Sequence, residues 1–157
     1  MAFNHQANGS LIVADGGTIG STLIGQAFED PSYFWSRPSA AGDGHDANAS
    51  SGSNLAPTSA DLIERVAADI DRLRAVHGDG AIPVDLVTTS ASGLDPHISP
   101  AAAEYQVERV AESRGVPVEE MRAAVARHTQ QPLLGVLGEP AVNVLELNLD
   151  LDGLLDD

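Results

Sequence analysis

Apolar residues recur with different periods in successive parts of the chain, and each period predicts an element. Leu11-Ile12-Val13-Ala14 and Thr18-Ile19-Gly20-Ser21-Thr22-Leu23-Ile24 are β-rich runs on either side of Asp15-Gly16-Gly17, so a hairpin is expected there. From Thr58 or Ser59 the spacing becomes helical: Leu62, Ile63, Val66, Ile70, Leu73 and His77 share a stripe, Asp61 lies in the first turn and Gly78 closes the run. Ile82-Pro83-Val84-Asp85-Leu86-Val87-Thr88 alternates as a strand does, with its proline near the start, where a missing N–H is tolerated. Ser99-Pro100 reads as an N-cap followed by an N1 proline, opening a helix that turns Ala103, Val107, Val110 and Ala111 inward until Arg114-Gly115 ends it. A third, shorter helix is expected from about residue 117 to 127. In the tail, Leu145, Leu147, Leu149 and Leu151 alternate with Glu146, Asn148 and Asp150, the period of a half-buried strand from Ala141 to Leu151. The order ββαβααβ, without an internal repeat, predicts one α/β (α+β) domain over residues 1–157, a mixed sheet of about four to five strands with helices packed on it.

Two stretches escape these periods. Phe28, Tyr33, Phe34 and Trp35 are four of the six aromatic residues, and Arg37-Pro38-Ser39-Ala40 follows at once, which makes a concentrated packing or docking element. Residues 41–57 are rich in Gly, Ser, Ala, Asn and Asp with no apolar period, so they form an irregular excursion longer than an ordinary connection.

Composition narrows what such a fold can do. The 157 residues hold 23 Asp and Glu against 8 basic residues, a net charge of −15, and every basic residue is Arg. That sign repels phosphate backbones and anionic headgroups, so no nucleic-acid partner is expected. Absent lysine and abundant Asp also lead us to expect a halophilic source, since screening at high salt tolerates a charge density that repels itself in dilute buffer. No cysteine is present, which removes thiol nucleophiles, disulfides and cysteine-ligated metals. The longest stretch free of Asp, Glu and Arg is 14 residues, short of the ~20 apolar residues of a spanning helix.

The candidate chemistry is thin. His45 in Gly42-Asp43-Gly44-His45-Asp46 has hard ligands around it, but the spacing matches no calcium loop. His77 ends the first long helix, where the helix dipole favours its charged form, and His128 ends a helix in the same way. Ser90-Ala91-Ser92-Gly93 lacks the glycine two residues before the serine of a hydrolase elbow, and a chain without lysine has no Gly-Lys-Ser/Thr phosphate loop. Glu104, Glu108 and Glu112 recur every four residues and read as a solvated acidic face. No cofactor and no metal are expected. The rival class is a small hydrolase or metalloenzyme, which requires His45 or His97 to meet Asp and Ser at hydrogen-bond distance in one pocket.

Three stretches go further than periodicity. Gly20-Ser21-Thr22-Leu23-Ile24-Gly25-Gln26-Ala27-Phe28 running into Tyr33-Phe34-Trp35-Ser36-Arg37-Pro38-Ser39-Ala40, then Ser51-Gly52-Ser53-Asn54-Leu55, resembles the front half of KdpC, the C subunit of the Kdp potassium-transporting ATPase. Ile82 to Thr88 leading into Ser90-Ala91-Ser92-Gly93-Leu94-Asp95-Pro96-His97-Ile98-Ser99-Pro100, and Gly138-Glu139-Pro140-Ala141-Val142-Asn143-Val144-Leu145-Glu146-Leu147-Asn148, are similar to its back half in the same order. The resemblance runs from Asn8 to Leu151; Ser51 stands where the family more often has glycine.

The resemblance implies a non-catalytic accessory subunit with the channel-like potassium-binding subunit and the ATP-hydrolysing subunit as partners, and with potassium ions met only indirectly. It places the domain at the cell membrane on the extracytoplasmic side, where it cannot touch cytoplasmic ATP and can act on hydrolysis only as coupling between sites. Family members begin with one transmembrane helix, and Met1-Ala2 stand where that helix should end, so an engineered soluble fragment is expected, with membrane attachment through the missing helix. Within this reading Tyr33, Phe34, Trp35 and Arg37, continued by Pro38 and Ser39, are the first interface candidates, because aromatics beside an arginine have the composition of binding hot spots. Their competing role is to fill the domain's own core, with Arg37 paired internally. The second candidate segment is Gly93, Leu94, Asp95, Pro96, His97 and Ser99, where Leu94-Asp95-Pro96 is turn chemistry and His97 can orient the loop.

Overall fold

The computed structural model describes residues 3–14 and 16–155. Among them are five helices and five strands, the mixed α and β class that the pattern implies. A short helix α1 (Asn4–Ala7) precedes the hairpin β1 (Leu11–Ala14) and β2 (Gly17–Ser21); Asp15 of the expected turn lies outside the described residues. Then come α2 (Ala60–His77), β3 (His97–Ile98), α3 (Pro100–Arg114), α4 (Val118–Arg127), β4 (Thr129–Gln130), β5 (Ala141–Asn143) and α5 (Val144–Leu151). The strands divide between two small sheets, β1-β2 and β3-β5-β4, and every pairing is antiparallel.

Helix α3 is capped at both ends. Ser99 Oγ accepts from the Ala102 N–H at 3.0 Å with Pro100 at N1, and Gly115 closes α3 at φ 67° while the Val116 N–H returns to the Ala111 carbonyl at 3.1 Å. Gly78 ends α2 at φ 77°. Helix α3 lies at the centre: Ala102, Ala103, Val107, Val110 and Ala111 are buried, and these small side chains let α2, α4 and β5 pack against it.

Two expected strands take other forms. Residues 82–88 hold a 3-10 turn, Val84–Leu86, because their burial does not alternate: Val84 is exposed while Leu86 and Val87 are both buried. The turn also frees the Asp85 carboxylate to accept from the Ser99 N–H at 2.7 Å and the Ser99 hydroxyl at 3.2 Å, fixing the start of α3. In the tail only Ala141–Asn143 is strand, and Val144–Leu151 is helix. Asn143 caps it by accepting from the Glu146 N–H at 3.1 Å, and Asn-x-x-Glu is a helix-start signature that the leucine alternation masks. Val144, Leu145, Leu147, Asn148 and Leu149 are all buried, so this helix has no single wet face from which a 3.6 period could be read.

The aromatic segment has no regular structure, yet both backbone groups of Phe34 and of Trp35 are paired. Asn148 Oδ1 accepts from the Phe34 N–H at 2.9 Å and Asn148 Nδ2 donates to the Phe34 carbonyl at 2.9 Å. Gln106 treats Trp35 alike, accepting from its N–H at 2.7 Å and donating to its carbonyl at 3.1 Å. Two side-chain amides, one from α3 and one from α5, thus replace the strand neighbour that this extended segment lacks, and Phe34 enters the core with no exposed surface.

Candidate contact site

The two segments singled out in the sequence meet. Arg37 Nη1 lies 3.1 Å from Asp95 Oδ2, Ser39 Oγ donates to the Gly93 carbonyl at 2.6 Å, and the Gly25 N–H reaches the Leu94 carbonyl at 2.8 Å. Arg37 also reaches the carbonyls of Thr88 and Thr89 at 3.4 and 3.5 Å. Asp95 holds the turn by accepting from the His97 N–H at 3.0 Å, and its Oδ1 is 3.3 Å from His97 Nδ1. Beyond the turn, the Pro96 carbonyl accepts from the Val144 N–H at 3.0 Å, which ties the segment to α5.

Gly93 makes this junction possible. It sits at φ 67°, and a Cβ there would lie 2.5 Å from the Ser51 carbonyl oxygen and 2.7 Å from the Ala41 nitrogen. The irregular 41–57 excursion is therefore packed onto the turn by backbone approach.

Electrostatically the corner is poised rather than neutralised. The His97 side chain, then the His97 backbone N–H and the Arg37 charge, hold the Asp95 carboxyl below its ordinary range against the opposing effect of burial. The Arg37, Asp95 and His97 side chains retain 23%, 31% and 32% exposure, so the pair is ordered and still reachable. An open groove lies on each side, one passing Leu23, Leu94 and Pro96, the other passing Val84, His97 and Glu139.

Within the first segment, the structure separates residues that the sequence grouped. Phe34 and Trp35 are buried, and Arg109 stacks on the Trp35 ring with its guanidinium carbon 4.0 Å from the ring centroid. Tyr33 is half-buried and its hydroxyl donates to Asp152 at 2.8 Å. Arg37, Pro38 and Ser39 remain partly exposed beside the second segment. Ser99 is committed to Asp85 and the α3 cap.

Sequence reasoning passed over Arg109 and Gln106. Arg109 is buried and donates to the carbonyls of Pro31 and Tyr33, to Gln106 Oε1 at 2.7 Å and to His77 Nε2 at 3.2 Å. Their signal was a charged and an amide residue three apart on the inward face of a predicted helix. Burial, with help from nearby Arg72, pulls Arg109 down to about 10. His77 corrects an expectation: burial first and Arg109 second lower it to about 4, so the neutral form is favoured despite its place at a helix C-terminus. His128 does meet a carboxylate, with Nε2 3.0 Å from Asp150. Glu104 of the acidic face is paired with Arg122 at 2.8 Å, while Glu108 and Glu112 face solvent.

Among the described residues no group of three or more His, Asp or Glu is placed to hold a metal ion, and no serine hydroxyl hydrogen-bonds a His45 or His97 side chain. No described helix is long and apolar enough to cross a membrane.

The chain is 61% identical over 155 residues to the potassium-transporting ATPase KdpC subunit of Sorangium cellulosum, covering 97% of this chain and 82% of that one. The subunit of the same name from Koribacter versatilis is 57% identical, with 96% and 78% covered, and that from Variovorax paradoxus 59%, with 96% and 79% covered. The family profile described as KdpC, K+-transporting ATPase c chain, matches residues 1–153, so the chain belongs to the KdpC family.

Proposed function

We propose that this chain is a non-catalytic accessory subunit of an ATP-driven potassium uptake complex, one that stabilises the assembly from the extracytoplasmic side, near the external ion entrance. Its partners in this reading are the channel-like potassium-binding subunit and the ATP-hydrolysing subunit, and it works at the membrane with them. The observation that carries the reading is the Arg37–Asp95–His97 corner: two segments distant in sequence are locked together, and the locked groups stay open to a second molecule. The net charge of −15 adds to this by raising the local concentration of cations without selecting among them.

Arg37→Ala introduced into the full complex tests the assignment. Loss of co-purifying subunits or a weakened apparent potassium affinity is the expected result. Wild-type assembly together with wild-type potassium affinity makes the corner internal scaffold.

A further inference from the structure

The turn between β4 and β5 has no role in the corner described above, and its chemistry is unlike that of the rest of the chain. Leu133, Leu134, Val136 and Leu137 are 68%, 83%, 78% and 59% exposed, four aliphatic side chains within five residues. Residues 129–138 carry no charge in a chain whose net charge is −15. The turn is also closed on itself: the Leu133 N–H donates to the Leu137 carbonyl at 2.9 Å, the Leu137 N–H returns to the Leu133 carbonyl at 3.0 Å, and the Gly135 N–H donates to Pro132 at 2.9 Å. Leu134, the most exposed of the four, has φ 56°, a left-handed conformation that a leucine adopts only where its surroundings hold it.

We propose that this turn is a preformed knob that inserts into an uncharged, aliphatic-lined groove of another protein subunit of the transporter, a reading that rests on the accessory-subunit function above. Neutral aliphatic side chains match a groove without charge, and a closed turn loses little conformational freedom on insertion. A lipid surface fits less well. The turn has neither the aromatic nor the basic residues that anchor segments at a bilayer interface, and the acidic chain around it is repelled by anionic headgroups. Strain at a single leucine places one side chain at one point, which a groove uses and a fluid surface does not.

The test uses the assembled complex. Leu134→Asp and Val136→Asp are each expected to lower the recovery of co-purified partner subunits by about tenfold or more. Leu134→Gly removes the side chain while relieving the positive φ, so it is expected to melt at or above the wild-type temperature and still lose partner recovery, which separates docking from folding. A benzophenone amino acid at position 134 should cross-link to another subunit. Cross-linking only to lipid, only to a second copy of this chain, or to nothing overturns the proposal, as does wild-type recovery of the Asp variants. Omitting this chain altogether distinguishes the two failures. A complex that forms and transports fully without it refutes the accessory reading, whereas one that requires it yet accepts Leu134→Asp refutes the knob alone.

Discussion

Phe34 and Trp35 are neighbours of Arg37, Pro38 and Ser39 in one short stretch, and their side chains do opposite things. The first two are buried, with both backbone groups of Phe34 and of Trp35 paired to buried amides and the Trp35 ring covered by Arg109. The last three lie at the surface, where Arg37 and Ser39 pin the 93–97 turn and keep part of their area open. Aromatic residues beside an arginine have the composition of an interface and equally that of a core; only the partner of each backbone group separates the two. The inner part anchors the outer part, since Arg37 is two residues from Trp35, whose backbone N–H and carbonyl are both paired.

That contrast can be broken from the inside. Gln106→Leu leaves the Trp35 N–H and carbonyl and one Arg109 donor buried without partners, and should cost about 3–5 kcal/mol of unfolding free energy in a denaturant titration. A loss below about 1 kcal/mol would mean that the amide clamp is incidental. Gly93→Ala attacks the junction between the segments. With φ 67° and contacts of 2.5 and 2.7 Å to backbone atoms, it should cost about 2–4 kcal/mol and loosen the 41–57 excursion, visible as faster amide exchange there.

Acidity reaches the inner part first. His77 is lowered to about 4 in the folded chain, below the ordinary 6.5, so the unfolded chain takes up a proton first as pH falls. Its contribution is present above about pH 6.5 and is lost between there and about pH 4, a decline of about 1–3 kcal/mol after allowance for partial exposure. His77→Gln should flatten the stability profile in that window. Asp95, held low by His97 and Arg37, contributes in the same sense but only below its ordinary carboxylate range, so the two effects are resolved along the pH axis. The smallest effect on stability is expected at the corner: Arg37→Ala should change unfolding by less than about 1 kcal/mol, because the pair is part exposed. A small stability change beside a large assembly change would locate its role outside the fold.

The sequence made some parts of this structure legible and hid others for identifiable reasons. The hairpin and helices α2, α3 and α4 were readable because each has one wet and one dry side or a capping residue at its end, and those signals are local. Helix α5 was misread as a strand because it is buried on several sides, so the leucine alternation carried no information about an exposed face. The 82–88 run was misread because Val84 points to solvent while Asp85 turns back to cap α3. The candidate segments 33–39 and 93–99 were found from composition and turn chemistry, but their contact was not visible, since no periodicity encodes a pairing across 58 residues. Arg109 and Gln106 went unnoticed because polar residues on an inward face look like errors in the pattern until their partners are seen.

The amino-acid order by itself determined the mixed class, the caps that begin and end α3, the acidic surface and the kinship with KdpC chains, all of which follow from neighbouring residues or from the order of motifs. Tertiary structure decided which aromatics are interior, that His77 favours its neutral form and that Arg37 faces Asp95. Burial and charge pairing depend on residues brought together from distant parts of the chain, and the free energy of a buried polar group is set by whether a partner reaches it.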